Sequence, residues 1–415
     1  MTHVRMKHFN FVVLNLLVLC AASSIWADEK KSECPQSKLI GPWNLAELYQ
    51  PPKIEWTANK GGLVRPLYYS GEPYRGKPTR VFAYYGLPEV KPNEKLPAMV
   101  LVHGGGGTAF KEWAEIWAKR GYICIAMDLA GRGPDKKRLT DGGPDQSHTQ
   151  KYDDIKNGVK DAWPYHAVAN VVRAVSLLRD QPNVDVNRIG ITGISWGGYL
   201  TSIVCGVDGR LSAAVPVYGC GFLQQNSAWL KDFKRIGLQN EKLWVKNFDP
   251  SSYLANCRMP TLWVNGTNDF AYPLDSYKKS YSLVKGPRTL CVTVKMPHGH
   301  QAGWAPKEIG MFIDSVFKNG SPLASVSELR QNKNLLTATF KSSISITNAQ
   351  LHFTKHEGPW PKRDWTTIPA ALNKNGTVTV DIKKHVPAGQ LTVCFFTLTD
   401  EHGAIVSTQH LVLKK

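Results

Sequence analysis

From about position 80 the chain alternates short unbroken apolar runs with longer stretches in which apolar residues recur every three or four positions. The runs predict strands over 79–85, 98–102, 122–128, 188–192, 213–218, 261–264 and 289–294. The stretches between them predict helices over 110–120, 165–179, 199–204 and 307–318. Strands that are apolar throughout, rather than on every second position, are those buried on both faces, so the pattern predicts an α/β domain: a mostly parallel sheet with helices on both sides. It occupies 80–320, preceded by a lead-in at 28–79 that is rich in proline, tyrosine and charge and reads as irregular with one or two strands. After 321 the period changes to two. Alternating runs at 336–340, 350–354, 377–380 and 391–396, separated by glycine, asparagine and proline, predict a small C-terminal antiparallel β-sandwich over 321–415.

The first 27 residues follow neither period. Arg5 and Lys7 precede an apolar run over 11–22, and Ile25-Trp26-Ala27 offers a cleavable end. This predicts a signal peptide and a secreted or periplasmic protein. The run is short for a bilayer span and no other stretch is longer, so no membrane span is expected.

Charge narrows the partners. The net charge is +18, and loss of the leader, with two basic and no acidic residues, leaves +16. The basic side chains are scattered and not interleaved with aromatics, which argues against nucleic acid and fits an acidic polymer such as an acidic polysaccharide. Seven cysteines follow the leader without a C-x-x-C pair, so no metal site is expected; a disulfide from Cys34, or between Cys220 and Cys257, stays open.

The chemistry concentrates in a few turns. Gly193-Ile194-Ser195-Trp196-Gly197-Gly198 lies between an apolar strand and a helix of small residues. There G-x-S-x-G makes a nucleophile elbow: glycines flank a turn too tight for side chains, Ser195 Oγ projects above the sheet, and the Trp196 N–H faces a developing oxyanion. The competing reading is a glycine-rich turn with a capping serine. A serine nucleophile needs a base, an acid to orient it and a second oxyanion donor, and later turns offer each. His103-Gly104-Gly105-Gly106-Gly107 follows a strand, so Gly104 or Gly105 supplies the donor, with His103 bracing the loop. Asp269 follows another strand as the acid. His298 is the base, because a strand, a short loop, a histidine and then Gly299 lead to it; His300 remains the alternative base or a substrate-pocket residue. Trp304, Trp163 and Tyr165 are candidate substrate contacts, and Trp360 and Trp365 are candidate sugar-stacking residues in the sandwich.

Together, 103–107, 193–198, Asp269 and 298–300 resemble the α/β-hydrolase superfamily in its dienelactone-hydrolase, prolyl-oligopeptidase and acetylxylan-esterase-like branch, over residues 80–318. The order Ser, Asp, His matches that superfamily. Dienelactone hydrolases use a cysteine where this chain has Ser195, and prolyl oligopeptidases carry a propeller that is missing here. The resemblance therefore implies a secreted serine ester hydrolase that deacetylates a polysaccharide through an acyl-enzyme, without cofactor or metal. The alternatives are a secreted serine peptidase or polyester hydrolase of the same fold and, more remotely, a non-catalytic carbohydrate-binding protein.

Overall fold

The structure is a computed structural model that describes residues 39–58, 61–385 and 392–413. The leader expected at 1–27 and Cys34 lie outside them. The strands of the largest sheet are numbered in chain order: β1 (Ile54–Trp56), β2 (Val64–Ser70), β3 (Arg80–Gly86), β4 (Leu96–Val102), β5 (Ile123–Met127), β6 (Val184–Ile194), β7 (Ala213–Val217), β8 (Thr261–Gly266) and β9 (Arg288–Thr293). Their spatial order is β9-β8-β7-β6-β4-β5-β3-β2-β1. From β5 to β9 every pair is parallel, and β3, β2 and β1 add an antiparallel edge. The sheet thus begins well before position 80, and the strands expected within the lead-in belong to it. The bounds of β2 are not legible in the sequence because its apolar residues are spread among Arg65, Pro66 and two tyrosines.

The helices of nine or more residues are α1 (Lys111–Lys119), α2 (Trp163–Arg179), α3 (Trp196–Val207), α4 (Leu230–Phe248), α5 (Leu274–Leu283) and α6 (Lys307–Phe317). Residues from α1 and α6, among them Trp113, Trp117, Phe312 and Ile313, pack on one face of the sheet. Those of α2 and α3 pack on the other, with Tyr277 and Tyr281 of α5. Helix α2 is buried nearly all round, which its run of alanine and valine permits: small side chains let a helix lie close to the sheet. Helices α4 and α5 escape the sequence reading because lysines, asparagines and serines dilute their apolar stripes. Among the described residues no helix is long and apolar enough to cross a membrane.

The chain runs from β4 outward to β5 and then returns to β6 on β4's other side. Loops leaving β4 and β6 therefore diverge from adjacent strand ends, and such a switch in strand order leaves a crevice above the sheet. Register puts Val102 beside Gly193, so the turns that follow, at 103–107 and 194–198, start as neighbours.

After α6 come two five-stranded antiparallel sheets. They enclose an apolar core that includes Leu336, Leu351, Val378, Phe396 and Leu398. The sandwich is bonded to the α/β part at several points. Val292 N–H donates to Ser407 Oγ, Ile405 N–H to Glu308 Oε1, and Lys278 Nζ to the His410 carbonyl. Trp360 is buried against Leu274, Val292 and Phe395, with the Arg363 guanidinium 3.9 Å from its ring. This corrects the expectation of a sugar-stacking Trp360: the ring is used as interface core.

Candidate active site

Ser195 ends β6 and begins α3 at φ 58°, ψ −118°, a backbone conformation that side-chain-bearing residues rarely adopt. Its N–H is fixed by the Val217 carbonyl at 3.0 Å, and its own carbonyl accepts from Tyr199 N–H at 2.9 Å. The flanking glycines are obligatory. A methyl group on Gly197 would run into the Val102 carbonyl, and one on Gly193 into that of Gly197. The strain is of the order of 1–3 kcal/mol, and the bonds around it hold the serine hydroxyl clear of the sheet.

His298 Nε2 lies 2.9 Å from Ser195 Oγ, and its Nδ1 lies 2.6 Å from Asp269 Oδ2. Asp269 is almost fully buried, yet its second oxygen, Oδ1, accepts the Ala271 and Tyr272 N–H groups at 2.9 and 2.7 Å, so both carboxylate oxygens are satisfied. A carboxylate bonded in this way is held in one orientation, with Oδ2 facing His298 Nδ1, which leaves His298 Nε2 turned toward Ser195 Oγ. Beneath the imidazole, the buried Tyr218 ring packs at 4.4 Å while its hydroxyl donates to the Gly299 carbonyl. Tyr218 is not singled out by the sequence; the signal available was its place at the end of the strand next to the elbow strand.

His300 faces elsewhere. Its Nε2 accepts the Gly104 N–H at 3.0 Å, and its ring packs on Phe110 at 4.7 Å. Burial pushes its pKa down to about 4, so it is a neutral acceptor. His103, fully buried and also lowered to about 4 chiefly by burial, holds the Gly104 carbonyl through Nδ1 at 2.7 Å and accepts from Leu129 N–H at 2.8 Å. The Gly104 peptide is thus gripped at both ends. The Gly104 N–H is thereby paired with His300. Trp196 N–H, at the first position of α3, has no acceptor within the helix.

The aromatic candidates are redistributed. Trp163 is buried, donates Nε1–H to the Leu129 carbonyl and meets Trp196 edge-on at 5.7 Å, so it supports the elbow from below. Tyr165 stacks on Trp43 and its hydroxyl bonds Glu72, in the N-terminal part of the fold. Trp304 stacks on Trp113 at 5.4 Å and meets Phe110 edge-on. Burial of Trp163 and Tyr165 among neighbouring rings corrects the expectation that they contact substrate, whereas Trp304 is half-buried and keeps an open side. Phe270, which the sequence reading passed over, lies 4.7 Å from His298 and is 60% exposed. Cys220 and Cys257 are both buried free thiols, so the disulfide left open between them is not formed here. Among the described residues no cluster of three or more His, Cys, Asp or Glu side chains is arranged to hold a metal.

Comparison with solved structures decides the fold. An acetyl xylan esterase from Paenibacillus sp. R4 superposes with a TM-score of 0.54 at 19% identity, covering 66% of this chain and 92% of that one. The chain has the α/β-hydrolase fold. Within this hydrolase fold, residues 63–241 match the acetyl xylan esterase family and 234–366 match the family described as PhoPQ-activated pathogenicity-related protein. Acetyl esterase Axe7A of Xylanibacter ruminicola is 25% identical over 234 residues, 52% of this chain and 53% of that protein. The uncharacterized peptidase YuxL of Bacillus subtilis is 24% identical over 206 residues, 46% of this chain and 28% of that one. The chain thus spans about half or less of these two relatives' lengths.

Proposed function

We propose that this protein is an exported serine esterase that removes acetyl groups from a polysaccharide by way of an acyl-enzyme on Ser195. The observation that carries the reading is the continuous relay from Ser195 Oγ through His298 to Asp269, at 2.9 and 2.6 Å. As Oγ attacks the ester carbonyl, its proton passes to His298 Nε2, and Asp269 stabilises the imidazolium through Nδ1–H. Trp196 and Gly105 N–H groups meet the oxyanion, a contribution of about 3–4 kcal/mol per donor in comparable sites. The tetrahedral intermediate expels the alkoxide, which takes the proton from Nε2. Water then repeats the sequence on the acyl-enzyme, releasing acetate and restoring Ser195.

Similarity to the acetyl xylan esterase family over 63–241 supports an acetylated polysaccharide as substrate, and the net charge supports one that carries acidic groups. Export rests on the leader at 1–27, and a protein accumulating in the cytoplasm with the leader intact would refute it. The likeness to YuxL makes amide cleavage the second activity to measure. Purified enzyme is given acetylated xylan and a dipeptide p-nitroanilide; acetate release without p-nitroaniline is expected. Ser195→Ala should lower acetate release by at least about 1000-fold. Turnover that survives this substitution would dispose of the mechanism.

A further inference from the structure

Phe270 is flanked by residues that are almost wholly buried. Asp269 is 2% exposed and Ala271 1%, while Phe270 between them is 60% exposed. The exposure is not that of a loose loop. Asp269 Oδ1 accepts from the backbone on the far side of Phe270, Asn265 Nδ2 donates to the Tyr272 carbonyl, and Ala228 N–H donates to that of Ala271. Other exposed apolar side chains, such as Ile116 and Leu243, sit within amphipathic helices, where single exposed residues are ordinary. Phe270 instead touches the base: its ring centroid is 4.7 Å from that of His298, with the planes at 57°.

In serine-catalysed acyl transfer the two halves of the ester occupy different places. The acyl carbonyl lies over the oxyanion donors, whereas the departing alcohol must lie where His298 Nε2 can return the proton. Among the described residues two rings pack against this imidazole, Tyr218 and Phe270, and Tyr218 is buried. The remaining, solvent-facing ring therefore borders the alcohol half. An aromatic face gives little to a small alkanol and much to a leaving group with a flat apolar face of its own, because the gain scales with apolar area removed from water. A pyranose ring offers such a face through its axial C–H groups.

We propose that Phe270 is the platform of a leaving-group subsite, on which the sugar ring carrying the departing hydroxyl stacks beside His298. The inference rests on the esterase reading and names the half of the substrate that Phe270 selects. The backbone that carries the ring is already held by the bonds of Asp269 and Asn265, which reduces the ordering that stacking must impose.

The test compares Phe270→Ala, Phe270→Trp and the parent enzyme on acetylated xylooligosaccharide, cellobiose octaacetate and ethyl acetate. The last has a leaving group without a ring. For Phe270→Ala, kcat/KM on the two sugar esters should fall about 10- to 100-fold further than on ethyl acetate, mostly through KM, and Phe270→Trp should recover the sugar-ester rates. If the parent enzyme deacetylates the sugars and Phe270→Ala depresses all three substrates equally, or none, the subsite is refuted while the esterase reading stands. If the parent enzyme hydrolyses ethyl acetate but no acetylated sugar, the polysaccharide reading falls and takes the subsite with it. Circular dichroism of both variants checks that the fold is retained.

Discussion

The Asn268 side-chain amide donates to the Arg363 carbonyl at 2.7 Å and to that of Pro361 at 3.1 Å, across 95 and 93 residues of chain. Asn268 immediately precedes the acid of the relay, and Arg363 belongs to the C-terminal sandwich. The sandwich therefore takes part in the site without contributing a group to the chemistry: it anchors the turn that carries Asp269 and Phe270.

Removing that anchor should be felt in turnover. Asn268→Ala deletes both bonds and leaves two interface carbonyls without their donor, so a shift of the Asp269 turn is expected. Displacements of about 1 Å at such a distance from the reacting atoms cost up to roughly 100-fold, and a 10-fold fall in kcat with little change in KM is the expected outcome. Steady-state kinetics on ethyl acetate would check it. An unaltered kcat would mean that the turn holds itself.

His300 should act through the loop it grips. Replacing it with alanine frees the Gly104 N–H, loosens the peptide that leads into Gly105, and is expected to lower kcat by about 10-fold or more through the oxyanion site. Glutamine, whose side-chain oxygen is an acceptor, should recover part of the loss. A base, by contrast, would lose nearly everything on either substitution. Activity of His300→Gln at the level of His300→Ala would count against the loop role.

Acid should destabilise the fold between pH 6.5 and about 4. Burial lowers His103 and His352 to about 4 and His410 to about 3, with Arg132 adding to the effect on His103, and Lys278 and Arg363 to that on His410. In the unfolded chain these histidines take up protons near pH 6.5, whereas in the folded protein they resist until near 4 or below. Their contribution is thus complete above pH 6.5 and is lost as pH falls, by up to about 1.4 kcal/mol per pH unit for each group. Calorimetry at pH 7.5, 6, 5 and 4.5 should show the melting temperature falling at each step below 6.5. A flat profile would show that these rings are charged in the folded state or are compensated elsewhere.

Local chemistry lays out the scaffold of the site. Ser195, Asp269, the histidine turn and the 103–107 loop are legible because each depends on local chemistry: glycines where no Cβ fits, and strands apolar on both faces that end where the turns begin. The parallel sheet and the sandwich follow from periodicity of the same kind. His298 and His300 are told apart by contacts with residues far away in the chain. His298 lies in the loop, whereas His300 is already the first residue of a short helix, so the two side chains leave in different directions, one to Ser195 and the other to Gly104. The pairing of the Gly104 N–H is likewise invisible locally, because its acceptor lies 196 residues away. The aromatics followed the same division. Whether a tryptophan or phenylalanine fills a core or faces a substrate depends on which distant rings reach it first, and no local pattern records that: Trp304 met Trp113, Trp360 met the interface, and Phe270 alone among these three was left in the open beside the base.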